Sequence, residues 1–303
     1  MKIYLNRKPI AGPWGGGNKV VSELAKKLTE AGVDVVYELE KNIDKIICFD
    51  PRPNDNGEWY QTFLEYQQSS GCKIIQRVGD LGTHSKPELT HLVQQSINFS
   101  DFVIFTSHWA KEWIGFKNNN FKIINNKPLP LFHNNKQLDP KLGNVINLVT
   151  HHWSTNPKKG FDVYQKLDEY LGDHKNYNFT YVGRLPKETS YKNIKCLEPM
   201  TAEELSEFLP KQDIYVTASL EEAGANHVLE AMASGLPVVY HEDGGSIVDY
   251  CKRRGEGYKT FEQLVEKIEK ISDNYSQYKK SVLRYNEDIN QVIKEYCNII
   301  LEV

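Results

Sequence analysis

Along the first part of the chain, short apolar runs alternate with stretches whose apolar residues recur at the spacing of a helix. Ile3 to Asn6 reads as the first strand. Beyond a glycine-rich turn, Val20, Val21, Leu24, Ala25 and Leu28 line one helical face, closed by Gly32. Strands are predicted at Val33 to Leu39, Ile43 to Phe49, Lys73 to Val78, Phe102 to Thr106 and Phe121 to Ile124, with helices near 58–68 and 88–99. Ser107 is expected to cap the helix that follows Thr106. Alternation of this kind predicts an α/β fold, a parallel sheet wrapped on both faces.

A stretch rich in Asn, Pro and Lys from Pro128 to Gly143 interrupts the alternation, which resumes at Val145 to Val149. A helix from Phe161 to Leu171, a strand from Phe179 to Val182 and a helix from Ala202 to Leu209 follow. Past Thr260, Phe261, Leu264, Val265, Ile268 and Ile271 mark one amphipathic helix, and Ile289, Val292, Ile293, Tyr296 and Ile300 mark another. Both are expected to pack on the core. The pattern predicts two Rossmann-like domains, 1–140 and 141–285, and a closing helix at 286–303.

The most informative stretch lies between Asp213 and Tyr240. Ile214 to Ser219 is a β-branched and aromatic run, Gly224-Ala225-Asn226 a turn with Asn226 as N-cap, and Val228, Leu229, Ala231 and Met232 the buried face of a short helix. Gly235 and Pro237 stop that helix before Val238-Val239-Tyr240 begins a strand. In such a β-α-β unit the helix N-terminus faces the crevice at the carboxyl ends of the strands. Backbone N–H groups around Asn226, His227 and Val228 are then suited to a diphosphate. Glu230, expected in the first helical turn, can accept hydrogen bonds from the vicinal hydroxyls of a ribose, and Glu222, on the preceding loop, can meet a second hydroxylated ring. Two acids flanking an anion hole suit a nucleotide sugar.

Glu222 and Glu230 have seven residues between them and lead into Ala-Met-Ala-Ser-Gly-Leu-Pro-Val-Val; this resembles the signature of retaining GT-B glycosyltransferases, the family 4-like group within glycosyl transferases group 1. His152-Trp153-Ser154 through Lys159-Gly160 looks like the donor-phosphate loop of that family, and Tyr181-Val182-Gly183-Arg184 like its next strand and turn. The likeness covers most of the carboxyl-terminal half, while the amino-terminal half matches in outline. It implies two facing Rossmann-like domains with a cleft between them: an acceptor domain at 1–140, a nucleotide-sugar donor domain at 141–285, and a crossover helix at 286–303 that packs back on the first. It further implies that Glu230 holds the ribose, Glu222 the hydroxyls of the donor sugar and Lys159 the diphosphate. Cys196 to Met200, with Leu197 and Met200, would lie near the base. Ser154 replaces an arginine common in relatives, and Arg184 is the candidate to compensate. Ala223-Gly224-Ala225 replaces the commoner Gly-Phe-Gly, which leaves the donor's identity open.

Other candidates come from the first half. In Gly12-Pro13-Trp14-Gly15-Gly16-Gly17-Asn18, Gly16 and Gly17 permit close backbone approach to a donor phosphate or an acceptor, the alternative being a flexible turn. The loop fits G-x-G-x-x-G poorly, because Val20 stands where the third glycine belongs; this argues against a dehydrogenase. Arg77, Asp80 and His84 follow an apolar strand and are expected at its carboxyl end. There Asp80 could orient or deprotonate an acceptor hydroxyl, and Arg77 could offset phosphate charge. His151 and His152, at the end of a strand, are either structural or catalytic.

Composition narrows the class. The chain has 303 residues, 40% apolar and 25% charged, with a net charge of −3; these values fit a globular enzyme and argue against nucleic acid as a partner. Five scattered cysteines without a C-x-x-C pair indicate neither a disulfide framework nor a zinc site, and with no signal-peptide pattern or apolar span they predict a cytoplasmic protein. Lys252-Arg253-Arg254 reads as a solvated turn, with peripheral membrane contact as the other reading. Asp-x-Asp and H-E-x-x-H are both absent, so metal-independent chemistry with no cofactor is expected, the UDP- or GDP-sugar donor being a co-substrate. The expected activity is hexosyltransferase-type transfer from a nucleotide sugar to a glycan, lipid-linked or other hydroxyl acceptor, with retention implied by the resemblance alone. A nucleotide-sugar epimerase or phosphorylase, and a non-catalytic nucleotide- or glycan-binding module, are the alternatives.

Overall fold

A computed structural model of the chain describes residues 1–10, 16–137 and 142–303. They divide into two compact units, Met1–Asn126 with Ile289–Val303, and Lys127–Asp288.

The first unit contains β1 (Lys2–Leu5), α1 (Gly16–Glu30), β2 (Asp34–Val36), β3 (Lys45–Cys48), α2 (Tyr60–Ser70), β4 (Lys73–Val78), α3 (Pro87–Phe99), β5 (Phe102–Phe105), α4 (His108–Ile114) and β6 (Phe121–Ile123). All six strands are parallel, in the order β2-β1-β3-β4-β5-β6. Ile46, Ile47, Ile75, Val103, Ile104 and Phe105 are fully buried, because central parallel strands are covered on both faces and carry apolar residues in succession. Ser107 caps α4 as expected, its Oγ accepting from the N–H of Ala110 at 3.0 Å. The C-terminal helix Ile289–Glu302 belongs to this unit and packs on α1. Lys45 Nζ donates to Ile300 O at 2.6 Å, and Arg77 Nε to Tyr296 Oη at 3.0 Å.

The second unit continues with β7 (Ile146–His152), α5 (Phe161–Asp173), β8 (Tyr177–Gly183), β9 (Ile194–Leu197), α6 (Ala202–Phe208), β10 (Ile214–Thr217), α7 (Asn226–Ala233), β11 (Val238–His241), α8 (Ser246–Cys251), β12 (Gly255–Tyr258), α9 (Phe261–Asp273) and α10 (Tyr275–Leu283), before the chain returns to the first unit as α11 (Ile289–Glu302). Its six strands are also parallel, in the order β12-β11-β10-β7-β8-β9. The chain therefore moves outward from β7 in one direction and from β10 in the other. A crevice forms where such directions part, outside the carboxyl ends of β7 and β10.

Several elements differ from the sequence pattern. β9, α8, β12 and α10 lie in stretches where the apolar period is weak. β12 is Gly-Glu-Gly-Tyr, a poor strand former by propensity. It pairs with β11 because Gly255 lets the backbones approach: a Cβ there would sit 2.0 Å from Val238 O. Residues 128–137, read as a break, pack on the second unit, where Phe132 is fully buried in the core shared by α7, α8 and β10. Asn226 is the first residue of α7 and not its cap. Ala225 holds the cap position, with its N–H donated to Ser246 Oγ at 3.1 Å. That shift also moves Glu230 beyond the first turn, onto a buried face.

Candidate active site

Two loops, one after β7 and one after β10, meet at the crevice of the second unit. The first runs through Ser154 to a single 3-10 turn at Pro157–Lys159, capped by the Asn156 side chain, which accepts from Lys158 N at 3.0 Å. Gly160 follows with φ of +81°, and a Cβ there would lie 2.3 Å from Ala218 Cβ, so only glycine lets this loop sit against the second one. The second loop is stitched on both sides. Leu220 N donates to Lys158 O at 2.8 Å, Glu221 pairs with Lys158, and Glu222 is bonded through its backbone to Gly244 and Ser246.

This stitching brings Lys159 and Glu222, 63 residues apart in sequence, into an ion pair between largely buried side chains. Burying both charges is tolerated because each neutralises the other. The pair stands beside the N-terminus of α7, whose first N–H groups have no partner within the helix. Ser219 Oγ, fully buried in the same loop, has no hydrogen-bond partner among the described residues.

Behind the pair lies a layer of aromatic and histidine side chains. Glu230, on α7, is 6% exposed, and its Oε2 lies 2.9 Å from Nε2 of His151, which is 4% exposed. Tyr215 Oη accepts from His151 N at 3.0 Å and lies 3.1 Å from His151 Nδ1. In the neutral ring a proton on Nε2 satisfies both ring contacts: His151 donates to Glu230 while Tyr215 donates to Nδ1. His152 Nε2 is 2.9 Å from Tyr164 Oη, which accepts from the N–H of Ala218. Burial pushes the Tyr164 hydroxyl up to about 12 and raises that of Tyr215 well above its ordinary value, so both stay protonated. His227, at the start of α7, bonds Thr217 Oγ1 at 3.2 Å and faces His152 ring to ring at 5.0 Å. Burial takes its pKa down to about 3, with Lys159 and His151 pushing the same way against Glu222 and Glu230, so the ring is neutral.

Of the residues singled out from sequence, the structure gathers Lys159, Glu222, Asn226, His227, Val228 and Glu230 at this crevice. Ser154 is exposed on the first loop, accepting from Asn156 N at 3.1 Å. The Arg184 guanidinium lies over the Trp153 ring, 5.9 Å from its centroid. Leu197 and Met200 pack, half-buried, beside the core that contains α7. Arg77, Asp80, Gly16 and Gly17 belong to the first unit. Arg77 is buried and bonds Tyr296 and Asn126, the latter at 2.9 Å. Asp80 accepts from Gly82 N at 2.9 Å and pairs with Lys86 at 2.7 Å. Gly16 opens α1, a Cβ on Gly17 would meet nothing within 4 Å, and Gly12 to Gly15 lie outside the described residues. Local pattern leaves His151 open between structural and catalytic roles and does not mark Tyr215 at all. Two adjacent histidines at the end of an apolar strand were the available signal.

Among the described residues, no group of three or more His, Cys, Asp and Glu side chains is arranged to hold a metal ion, and no helix is long and apolar enough to cross a membrane. Residues 148–274 match the family model described as Glycosyl transferases group 1. A comparison with curated protein sequences gives no match. Among solved structures, HepE of Anabaena, crystallised with UDP, is 13% identical with a TM-score of 0.73 over 100% of both chains. Sucrose-phosphate synthase of Thermosynechococcus elongatus is 14% identical with a TM-score of 0.71 over 99% of this chain and 98% of its own. WaaG, a glycosyltransferase involved in lipopolysaccharide biosynthesis, is 15% identical with a TM-score of 0.67 over 100% of both chains. Residues 148–274 thus carry a glycosyl transferases group 1 domain, on a two-sheet α/β fold of the kind these GT-B structures share.

Proposed function

We propose that the chain transfers a sugar from a UDP- or GDP-sugar to a hydroxyl of a glycan or lipid-linked acceptor, in the cytoplasm, without a metal ion and with retention of anomeric configuration. The Lys159–Glu222 pair beside the N-terminus of α7, with Glu230 held by His151, carries this reading. Lys159 and the first N–H groups of α7 supply positive charge for a diphosphate, Glu230 takes the ribose hydroxyls, and Glu222 takes hydroxyls of the donor sugar. In the reaction, the bond between the anomeric carbon and the diphosphate oxygen breaks and a bond to the acceptor oxygen forms; the acceptor proton is released and the nucleoside diphosphate leaves. Negative charge grows on the leaving oxygen, and donors fixed in advance by folding are suited to stabilise it. UDP bound to HepE, which shares the fold, supports a nucleotide donor here.

A thermal-shift panel of nucleoside diphosphates and their sugars, followed by release of the nucleoside diphosphate with and without acceptor, tests the proposal. One nucleotide should stabilise the protein, and its release from the sugar should depend on a hydroxyl acceptor. Consumption of the nucleotide sugar with no acceptor present would point to an epimerase instead. Binding without turnover under any acceptor would point to a non-catalytic module.

A further inference from the structure

Seven buried side-chain nitrogens and oxygens lack a hydrogen-bond partner among the described residues, and three of them surround Tyr285: its own Oη, Arg254 Nε and His133 Nδ1. The Arg254 guanidinium lies over the Tyr285 ring, 5.0 Å from its centroid, and the His133 ring centroid is 5.8 Å away. Lys136 Nζ donates to Tyr285 O. A fourth unpartnered atom, Ser234 Oγ, precedes Gly235, where Lys279 Nζ lies 3.3 Å from the place a Cβ would occupy. Lys279 is 3% exposed and Ser234 fully buried. The cluster sits before β11 and β12, at the amino-terminal edge of the second sheet, whereas the candidate active site lies beyond the carboxyl ends. It also adjoins both chain crossings between the units: Lys127 pairs with Glu287, and His133 Nε2 lies 3.0 Å from Glu287 O.

Lys136, Arg254 and Lys279 form no ion pair among the described residues. Burial lowers the pKa of Lys136, and Arg254 adds to the effect; burial takes Lys279 down to about 8, with Lys136 adding to it against Asp213. Asp213 is already engaged, accepting from Asn147 N at 2.7 Å. The other acid felt here is Asp288, which acts on His133 and Tyr285. A buried water would satisfy the unpartnered atoms, but it would leave three neighbouring cations without a direct ion-pair partner. An oxyanion answers both needs. Because His133 Nε2 donates to Glu287 O in the neutral ring, Nδ1 is an acceptor, which matches the hydroxyl of hydrogenphosphate. We propose that this cluster is a second ligand site, distinct from the active site, that binds inorganic hydrogenphosphate through Lys136, Arg254 and Lys279, with Tyr285 and Ser234 as neutral donors.

The test is titration of the full chain with inorganic phosphate at fixed ionic strength, read by melting temperature and by equilibrium dialysis. Wild type should show one saturable phosphate and a rise of several degrees, and Lys159→Met, which disables the other anion position, should keep both. Arg254→Met and Lys136→Met should lose both. Lys279→Met should melt higher than wild type without phosphate, because it removes a buried charge, and should gain nothing from phosphate. Sulfate and the glycerol 3-phosphate dianion carry no acid hydroxyl on sulfur or phosphorus and should bind about tenfold less well, a difference of one hydrogen bond. The proposal is overturned by an absence of saturable binding, by binding that survives Arg254→Met and Lys136→Met, by binding lost in Lys159→Met, or by sulfate or glycerol 3-phosphate matching phosphate.

Discussion

His227 sits where a diphosphate is proposed to bind, and its charge state can be tested by pH. Its pKa in the folded protein is about 3, depressed first by burial, against about 6.5 in an unfolded chain. Between those values the unfolded chain takes up a proton that the folded ring refuses. The contribution is therefore complete above pH 6.5 and is lost as the pH falls toward 3. At pH 4.5 the unfolded imidazole is almost wholly protonated, which favours unfolding by about 2.7 kcal/mol; at pH 7 the same term is only about 0.2 kcal/mol. The difference, about 2.5 kcal/mol, is what His227 should remove on acidification. Carboxylates held low by partners, such as Asp50 beside Arg52 and Glu256 beside Tyr278 and Lys270, also lose stability in acid, so the comparison needs a variant. His227→Asn keeps an amide for Thr217 and titrates nothing. Denaturant unfolding of both proteins at pH 7.0 and 4.5 should show wild type losing about 2.5 kcal/mol more than the variant. Nuclear magnetic resonance of the imidazole should find the ring neutral at pH 5. Equal losses in the two proteins, or a ring that titrates near 6.5, would refute the reasoning.

Other outcomes follow from the same geometry. Glu230→Ala should weaken nucleoside diphosphate binding by roughly 10- to 100-fold in calorimetry, the value of hydrogen bonds to a carboxylate, and unchanged affinity would remove its ribose role. Glu222→Ala should lower turnover by about 100-fold or more while nucleoside diphosphate affinity changes little, and equal turnover would contradict its place at the donor sugar. Gly160→Ala combines a positive φ with a Cβ 2.3 Å from Ala218 Cβ, so a loss of about 3 kcal/mol is expected in denaturant unfolding, along with weaker nucleotide binding through the displaced Lys159. Arg77→Met should destabilise the first unit by about 2 to 4 kcal/mol and expose α11 to proteases, since Tyr296 and Asn126 lose their donor; a stable variant with normal protease resistance would show that the guanidinium is dispensable there.

The amino-acid order alone determined the alternation of strand and helix, because burial on both faces of a parallel sheet imposes local periods that a linear reading detects. Both ends of the strand from Lys73 to Val78, and Ser107 as a cap, are legible locally, since each depends on residues within one or two turns. The β-α-β unit from Asp213 to Tyr240 is legible for the same reason: its turn, helix and strand follow one another directly. Only the tertiary structure decided what depends on distant partners. Asp168 is 2% exposed in α5, yet it starts β9 by accepting from Asn193 N at 2.7 Å and Ile194 N at 2.8 Å, a function no local pattern marks. Gly255 makes a strand of Gly-Glu-Gly-Tyr only because Val238 lies against it. Lys159 meets Glu222, and His151 meets Glu230 across 79 positions, because strand order puts β7 beside β10. Arg254, which its neighbours Lys252 and Arg253 suggested was solvated, lies instead over Tyr285. Local pattern records which groups are present and which way short segments fold; the packing of remote segments sets which charges meet and how far water is kept from them.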